Sequence, residues 1–244
     1  MVTYEREGAV AVVSIDRPEA RHAIDNRTAL ALRDAWERFE ADADADVGVL
    51  TGGPETFSAG ADLEKMDLED RSEGWLGFTR MRVSKPTIAA VEGYCVAGGL
   101  EMALWCDLRV AGESATFGCF ERRFGVPLVD GGTQRLPRLV GRGRALDMIL
   151  SGRPVDAPEA HDWGLADRVV DDGTAREAAV ELGRSIADFP QETVRSDRAA
   201  VYDGIGESLE RGLQIEALHG RRVLDVAEAG ADRFAAGEGR HGSD

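Results

Sequence analysis

Apolar and polar positions follow the spacing of strands and helices along the first two thirds of the chain. Alternating segments at residues 2–6 and 9–15 predict two strands joined by a tight turn at Glu7-Gly8. A helix is predicted next, with Asn26 as its N-terminal cap. Its apolar residues recur at helical spacing, namely Ala29, Leu32, Ala35, Trp36 and Phe39.

Two short apolar runs predict buried strands, Val47–Thr51 and residues 86–91. Each is followed by a loop that contains glycine. The first loop, FSAGADL, leads into a polar stretch that we interpret as helical as far as about Val83. After the second strand, VAGGLEMALWCD opens another helix.

Residues 108–111 and 116–117 predict two more short strands, and mostly helices are expected from about Thr133 onward. Alternation of strands and helices favours an α/β fold with parallel strands and helical crossovers. We therefore predict a core at residues 1–187 and a C-terminal helical region at residues 188–244.

Composition narrows the possible partners. Among the 244 residues 43% are hydrophobic, which predicts a folded chain, and the net charge of −16 argues against a nucleic-acid partner. No apolar run approaches the ~20 residues that span a bilayer, and MVTYEREGAV lacks the pattern of a signal peptide. Cys95, Cys106 and Cys119 show no metal-binding spacing, so we read them as reduced thiols of a cytoplasmic protein.

A glutamate stands in an otherwise apolar stretch, VAGGLEMAL, where Glu101 follows Gly98 by three positions. A carboxylate in such surroundings costs several kcal/mol unless it is compensated. One interpretation is a capping-box glutamate at the third position of a helix. The other is a catalytic base beside unpaired N–H groups at the start of the helix, where an acyl oxygen can accept hydrogen bonds.

A second segment, TFSAGADLEKM at residues 56–66, is a candidate for another backbone donor, because an oxyanion hole usually has two. It also follows an apolar strand and contains glycine between small residues. The simpler interpretation is an ordinary turn between a strand and a helix, with Asp62 as the helix cap.

A third segment, residues 117–141, places Glu121 among three phenylalanines. Glu121 is either a second acid–base group or an ion-pair partner of one of three nearby arginines, Arg122, Arg123 or Arg135. Asp130 precedes Gly131-Gly132 and is either a turn or cap residue or an additional acid or base.

Taken in order, these segments resemble the enoyl-CoA hydratase/isomerase (crotonase) superfamily. The similarity runs from RPEARHA to FAAGEGRHG and rests on five motifs, AGADL, GYCVAGGLEMALWCDLRVA, FGCFE, GGTQRLPRLVG and AHDWGLADRVV. It implies an α/β, crotonase-like spiral of ββα turns with a helical C-terminal trimerisation region. Trimers of this kind often pair into hexamers. It also implies an acyl-CoA substrate, whose CoA is part of the substrate, and neither a metal nor a separate cofactor.

The resemblance also implies roles for individual residues. Backbone N–H groups of Ala61 and Gly98 correspond to the oxyanion hole, and Glu101 and Glu121 to the catalytic carboxylates. We assign Glu101 to activating water and Glu121 to protonating Cα, which makes an enoyl-CoA hydratase the expected enzyme. The residues implied to bind the substrate and its CoA are Ala61, Asp62, Leu63, Glu64 and Gly98.

Departures from the family pattern keep an alternative open. Glu64 stands where a lysine is common, Leu128 and Val129 replace a proline-glycine pair, and Asp130 is added. An enoyl-CoA isomerase needs only one base, for which Glu121 suffices, and other acyl-CoA reactions of the family are possible. His22 is expected to be a solvated loop histidine near the CoA entrance.

Overall fold

The computed structural model of the chain describes residues 1–237; the end of the predicted C-terminal region, residues 238–244, lies outside the described residues. The strands in this part are β1 Val2–Glu7, β2 Val10–Ile15, β3 Val47–Thr51, β4 Thr56–Ser58, β5 Thr87–Val91, β6 Tyr94–Val96, β7 Leu108–Gly112, β8 Thr116–Gly118, β9 Val155–Asp156 and β10 Arg168–Val170. The helices are α1 Asn26–Ala41, α2 Gly98–Trp105, α3 Gly132–Val140, α4 Arg142–Ser151, α5 Ala157–Asp162, α6 Ala175–Ala187, α7 Gln191–Gly204, α8 Leu209–Gly220 and α9 Leu224–Ala236.

The larger sheet has the strand order β1-β2-β3-β5-β7-β10. Its first two strands form the predicted antiparallel hairpin, and each later strand pairs in parallel with its neighbour. Every residue of β3 and β5 is buried, which explains why these two strands are continuous apolar runs. The predicted α/β fold with parallel strands is confirmed.

The smaller sheet has the strand order β4-β6-β8-β9, and its strands lead into the segments that contain the candidate site residues. Strands β4, β6 and β8 are parallel neighbours, with Thr56 paired to Tyr94 and Tyr94 to Thr116. Their carboxyl ends therefore lie side by side, and the three candidate segments all leave from this one edge.

Helix α1 begins one residue away from the predicted cap. Asp25 is the N-cap, and its side chain accepts a hydrogen bond from the N–H of Thr28, whereas Asn26 is the first helical residue. The predicted apolar face is buried, and two of its members join an aromatic cluster: Trp36, Phe39, Phe78 and Trp105.

The prediction of a helix that continues to about Val83 is wrong. The segment between the bridge at Ala61 and strand β5 consists of turns and irregular backbone. Its buried residues include Leu76 and Phe78, and Gly77 between them has a positive φ of 92°. A Cβ on Gly77 would lie 1.9 Å from the carbonyl oxygen of Ala29, so the segment crosses α1 in direct contact with its backbone. Long-range packing has replaced the local helix here.

The chain divides into two compact units, Met1–Ile186 and a second that starts at Ala187. Within the second unit, α7 and α8 pack together, and His219 pairs with Asp203 at 3.0 Å. Many large apolar side chains of this unit are exposed, including Phe189, Val201, Ile205, Leu209, Leu213, Leu218, Leu224 and Phe234. Among residues 1–237, no helix combines the length and the apolar character needed to cross a lipid bilayer.

Candidate active site

Backbone pairing orients the N–H group of Ala61. Ile24 uses both of its backbone groups on the residues that flank Ala61: its N–H donates to Gly60 O at 2.7 Å, and its carbonyl accepts from the N–H of Asp62 at 2.8 Å. In a parallel bridge the middle residue directs its own N–H away from the partner strand. The Ala61 N–H therefore faces away from Ile24.

The loop around Ala61 touches the start of α2. Gly60 has φ +88°, and a Cβ at this position would lie 2.6 Å from the nitrogen of Gly98. Only glycine permits both this conformation and this close approach. Contact through Gly60 thus brings the backbone of Ala61 next to that of Gly98.

Gly98 is the first residue of α2, so its N–H has no acceptor within the helix. Ala97 before it has φ 53° and ψ −127°, a strained conformation for a residue other than glycine. Ala61 and Gly98 are both partly exposed, and no acceptor within residues 1–237 takes either N–H. These two donors in touching segments form a geometry suited to a developing oxyanion.

Asp62, one of the residues implied to bind CoA, has its carboxylate occupied within the protein. Oδ2 accepts from Arg17 Nη2 at 3.0 Å, and Oδ1 accepts from the N–H groups of Glu64 and Lys65 at 3.2 and 3.3 Å. Lys65 in turn pairs with Asp25. Asp62 caps a turn, not the helix that the sequence predicted, and it fixes the loop that carries Ala61.

The other residues implied to bind CoA differ from Asp62 in exposure. Leu63 and Glu64 are both exposed, so their side chains are open to a ligand. Because the carboxylate of Asp62 is buried and paired, we expect it to position the loop, while contacts to CoA come from backbone atoms and from Leu63.

Glu101 is buried, with 3% of its surface exposed. Its Oε1 accepts from the N–H groups of Asp130 and Gly132 at 2.9 and 2.8 Å. The capping-box interpretation is therefore wrong, because the carboxylate binds the turn before α3 and not the start of its own helix. Burial raises the pKa of Glu101 to about 7; the N–H of Gly132 opposes this rise, while the charges of Asp130 and Glu121 add to it.

Glu121 lies in a 3-10 helix, Phe120–Phe124, directly after β8. It is 5% exposed, and neither of its carboxyl oxygens has a hydrogen-bond partner among the described residues. Burial raises the pKa of Glu121, and the nearby N–H of its own backbone and the charge of Arg122 oppose the rise. An ion pair with a neighbouring arginine is therefore a wrong interpretation. The arginines considered bind backbone carbonyls instead, those of Ile149, Gly152, Asp130 and Thr79.

The two glutamates are chemically distinct. Burial raises the pKa of both carboxyls; at Glu101 two backbone N–H donors oppose part of this rise, whereas Glu121 accepts no hydrogen bond among the described residues. The negative charge of Glu121 also acts on Glu101, so the two groups are close enough to influence each other. Two neighbouring carboxyls with different hydrogen bonding can divide the roles of base and acid. Within residues 1–237, no group of three or more His, Cys, Asp or Glu side chains is arranged to hold a metal ion.

Asp130 forms contacts that the sequence did not indicate. Its Oδ1 accepts from the hydroxyl of Thr79 and from the N–H of Leu76 at 3.3 Å. It is not the cap of α3, because Gly131 occupies that position and no side chain bonds the helix start. Nothing in the sequence linked residues 76–79 to this turn, since they are more than 50 positions away.

Two further residues differ from expectation or clarify it. His22 is 6% exposed, and its Nδ1 accepts a hydrogen bond from the N–H of Arg17 at 3.1 Å. The prediction that His22 is a solvated loop residue is therefore wrong. Burial lowers the pKa of His22.

Val129, which replaces a glycine of the family pattern, is 37% exposed and lines a cavity of about 340 Å³ with Arg80 and Gln134. The valine is thus not part of the buried shell around Glu101.

Comparison with known proteins shows which family the chain resembles. Residues 5–237 match the family model described as enoyl-CoA hydratase/isomerase. The chain is 35% identical to a probable mitochondrial enoyl-CoA hydratase 2 of Arabidopsis thaliana, over 91% of this chain and 77% of the relative. It is 36% identical to a crotonyl-CoA hydratase of Syntrophomonas wolfei, over 88% and 86%. The crystal structure of enoyl-CoA hydratase EchA1 from Mycobacterium marinum superimposes with a TM-score of 0.92 at 33% identity, covering 96% of this chain and 95% of that one.

Proposed function

The chain belongs to the enoyl-CoA hydratase/isomerase family, and from this we infer that it is an enoyl-CoA hydratase. It adds water across the 2,3 double bond of a 2-enoyl-CoA thioester to give the 3-hydroxyacyl-CoA. The crotonase-like fold that the sequence resemblance implied is confirmed by the structural match. An acyl-CoA substrate follows from the family.

One observation carries the proposed mechanism: two buried glutamates that influence each other electrostatically lie in segments leaving the same sheet edge as the two touching backbone donors. In the reaction we propose, the thioester oxygen accepts hydrogen bonds from the N–H groups of Ala61 and Gly98. Electron density then moves onto that oxygen, and Cβ becomes open to attack. Glu101 takes a proton from water as the hydroxyl adds to Cβ, and Glu121 gives its proton to Cα. One water is consumed, and the thioester stays intact.

Crotonyl-CoA is the first substrate to test. We expect the ultraviolet absorbance of the conjugated thioester to fall, with 3-hydroxybutyryl-CoA as the product. Longer 2-enoyl thioesters test chain length if crotonyl-CoA does not react. If no 2-enoyl-CoA reacts at low or at molar salt, the hydratase assignment is wrong.

A 3-enoyl-CoA distinguishes the alternative. An isomerase moves the double bond from position 3 to position 2 and needs one base, for which the unpartnered Glu121 suffices. Formation of conjugated absorbance from the 3-enoyl thioester, without hydration of the 2-enoyl thioester, would make the isomerase the correct function.

We further propose that the protein forms homotrimers, singly or as paired trimers. Support comes from the second unit, whose helices α7–α9 expose many large apolar side chains to solvent in the single chain. Light scattering on the purified protein measures this directly: a mass three or six times the 26.3 kDa of one chain is expected, and a monomer would contradict it. The cytoplasmic location stays a prediction.

A further inference from the structure

We propose that Asp130 is a positioning residue for the hydration reaction: its carboxylate ties residues 76–79 to the turn before α3 and so fixes the N–H groups that hold Glu101. The inference rests on the proposed function, because it assigns Glu101 the role of base. Asp130 itself touches neither water nor substrate in this role.

Asp130 contacts Glu101 through its backbone and residues 76–79 through its side chain. Its backbone N–H donates to Oε1 of Glu101 at 2.9 Å, while its carboxylate accepts from Thr79 and from the N–H of Leu76. At 2% exposure, the side chain is sealed from solvent. One residue thus binds the catalytic carboxyl with its backbone and a distant segment with its side chain.

That distant segment also reaches the oxyanion hole. A Cβ on Gly98 would lie 3.0 Å from Cδ1 of Leu76, so Leu76 packs directly against the donor residue. Its backbone N–H is the group that Asp130 binds. The Asp130 carboxylate therefore holds the base and one wall of the oxyanion hole in a single unit.

Arg135 also links the turn before α3 to residues 76–79. Its Nη1 donates to the carbonyl of Asp130 at 2.8 Å and its Nη2 to the carbonyl of Thr79 at 2.5 Å. The two segments are thus joined by backbone and side-chain contacts together. Unlike Arg135, Asp130 has a wholly buried side chain. Removing its carboxylate would leave the buried donors of Thr79 and Leu76 without an acceptor.

Asp130 acts on Glu101 through its charge as well as through geometry. Besides burial, the charges of Asp130 and Glu121 raise the pKa of Glu101. Asp130→Asn separates the two effects, since the amide oxygen still accepts from Thr79 and Leu76 but carries no charge. Asp130→Ala removes both, and Thr79→Val removes one hydrogen bond.

The kinetic test uses the full-length enzyme and the 2-enoyl-CoA that the wild type hydrates. Asp130→Ala is expected to lower kcat about 10- to 100-fold with little change in KM, because small displacements of a catalytic group have effects of this order. Thr79→Val should lower kcat less, and adding it to Asp130→Ala should cause no further loss. Asp130→Asn should keep kcat within about threefold, because the acceptor geometry that Asp130 supplies is retained.

The pH profile supplies a readout that a merely structural role would not move. In Asp130→Asn the acid limb of kcat/KM should shift to lower pH, because one of the charges that raise the pKa of Glu101 is gone. Loss of kcat in Asp130→Asn as large as in Asp130→Ala would overturn the positioning role. So would wild-type kcat in Asp130→Ala.

A second measurement does not depend on turnover. Carbon-13 NMR of protein labelled at the glutamate carboxyl follows the titration of Glu101, assigned by comparison with Glu101→Gln. The midpoint for Glu101 should be lower in Asp130→Asn than in wild type, and an unchanged midpoint would contradict the link. If the wild type hydrates nothing, the proposed function fails while this titration still tests the contact. Should Asp130→Ala not fold, Asp130→Asn and Thr79→Val decide the outcome.

Discussion

Glu101→Gln will lower kcat for hydration by about 10³-fold or more, while the affinity for the CoA thioester stays within about threefold. Glutamine retains an oxygen that accepts the N–H groups of Asp130 and Gly132, so the side chain keeps its position. It has no basic oxygen to take a proton from water. Steady-state kinetics and calorimetric binding of the 3-hydroxyacyl-CoA product measure the two quantities separately.

The pH dependence of the wild type follows from the same residue. Glu101 must be ionised to act as a base, and its pKa lies at about 7. The rate, kcat/KM, should therefore fall as pH falls through about 7. Burial also raises the pKa of Glu121, the group proposed to give its proton to Cα. In Glu101→Gln the acid limb near pH 7 should be absent.

The same substitution should make the protein more stable at pH 8. In the unfolded chain Glu101 ionises near 4.5, and in the folded protein near 7, so between these values the free energy of unfolding falls as pH rises. Above pH 7 the folded state bears the full cost of the buried charge. Glutamine removes this cost, which amounts to about 3 kcal/mol at 1.4 kcal/mol for each unit of pKa. Chemical denaturation at pH 8 measures it.

Glu92→Gln is the matched control. Glu92 is also buried, at 6% exposure, and its Oε1 accepts from the N–H of Ala175 at 2.9 Å, away from the candidate site segments. We expect wild-type kcat for this variant. Hydration by Glu101→Gln at a rate close to wild type would exclude Glu101 as the base, and Glu121→Gln would then be the first variant to examine.

Replacing the Gly98 amide by an ester will lower kcat/KM by about 10²- to 10³-fold. Glycolic acid in place of glycine replaces the N–H group by an oxygen and adds no atom against Leu76 or Gly60; it also weakens the Ala97 carbonyl as an acceptor from the N–H of Glu101. Because Gly98 is the first residue of α2, that N–H supports no helical hydrogen bond, so the fold should be unaffected. The loss should come from the transition state, where the thioester oxygen carries the most charge.

A second ester in the same protein controls for the chemistry. Gly143 is the second residue of α4, is exposed, and has no atom within 4 Å of a Cβ built there. Its replacement by glycolic acid should leave kcat/KM unchanged. Equal activity in the Gly98 ester and the wild type would mean that the thioester oxygen is bound elsewhere.

Sequence patterns predicted the parts of the fold that depend on local order. The strands β3 and β5, the apolar face of α1 and the position of Glu101 near a helix start are all readable from spacing. A carboxylate in an apolar run signals a special environment, whatever its partners are. This is why Glu101 and Glu121 stood out as residues that need an explanation.

What the sequence did not reveal depends on contacts between distant positions. Residues 64–83 have a polar composition compatible with a helix, but packing of Gly77 on the backbone of Ala29 excludes one. The burial of His22 and the bond from Thr79 to Asp130 are likewise long-range. Propensity is a weak prior when tertiary contacts of this kind compete with it.

Because β4, β6 and β8 supply neighbouring loops only after they have paired in parallel, the site has no local nucleus. The backbone donors and carboxyls of the site lie between Ala61 and Gly132 in the sequence. Each parallel pairing closes a loop of tens of residues, and the chain entropy lost in closing it is compensated only after the strands are in contact. No growing chain that ends before Gly132 holds Glu101 in place. Catalytic competence therefore requires that the three strands have paired.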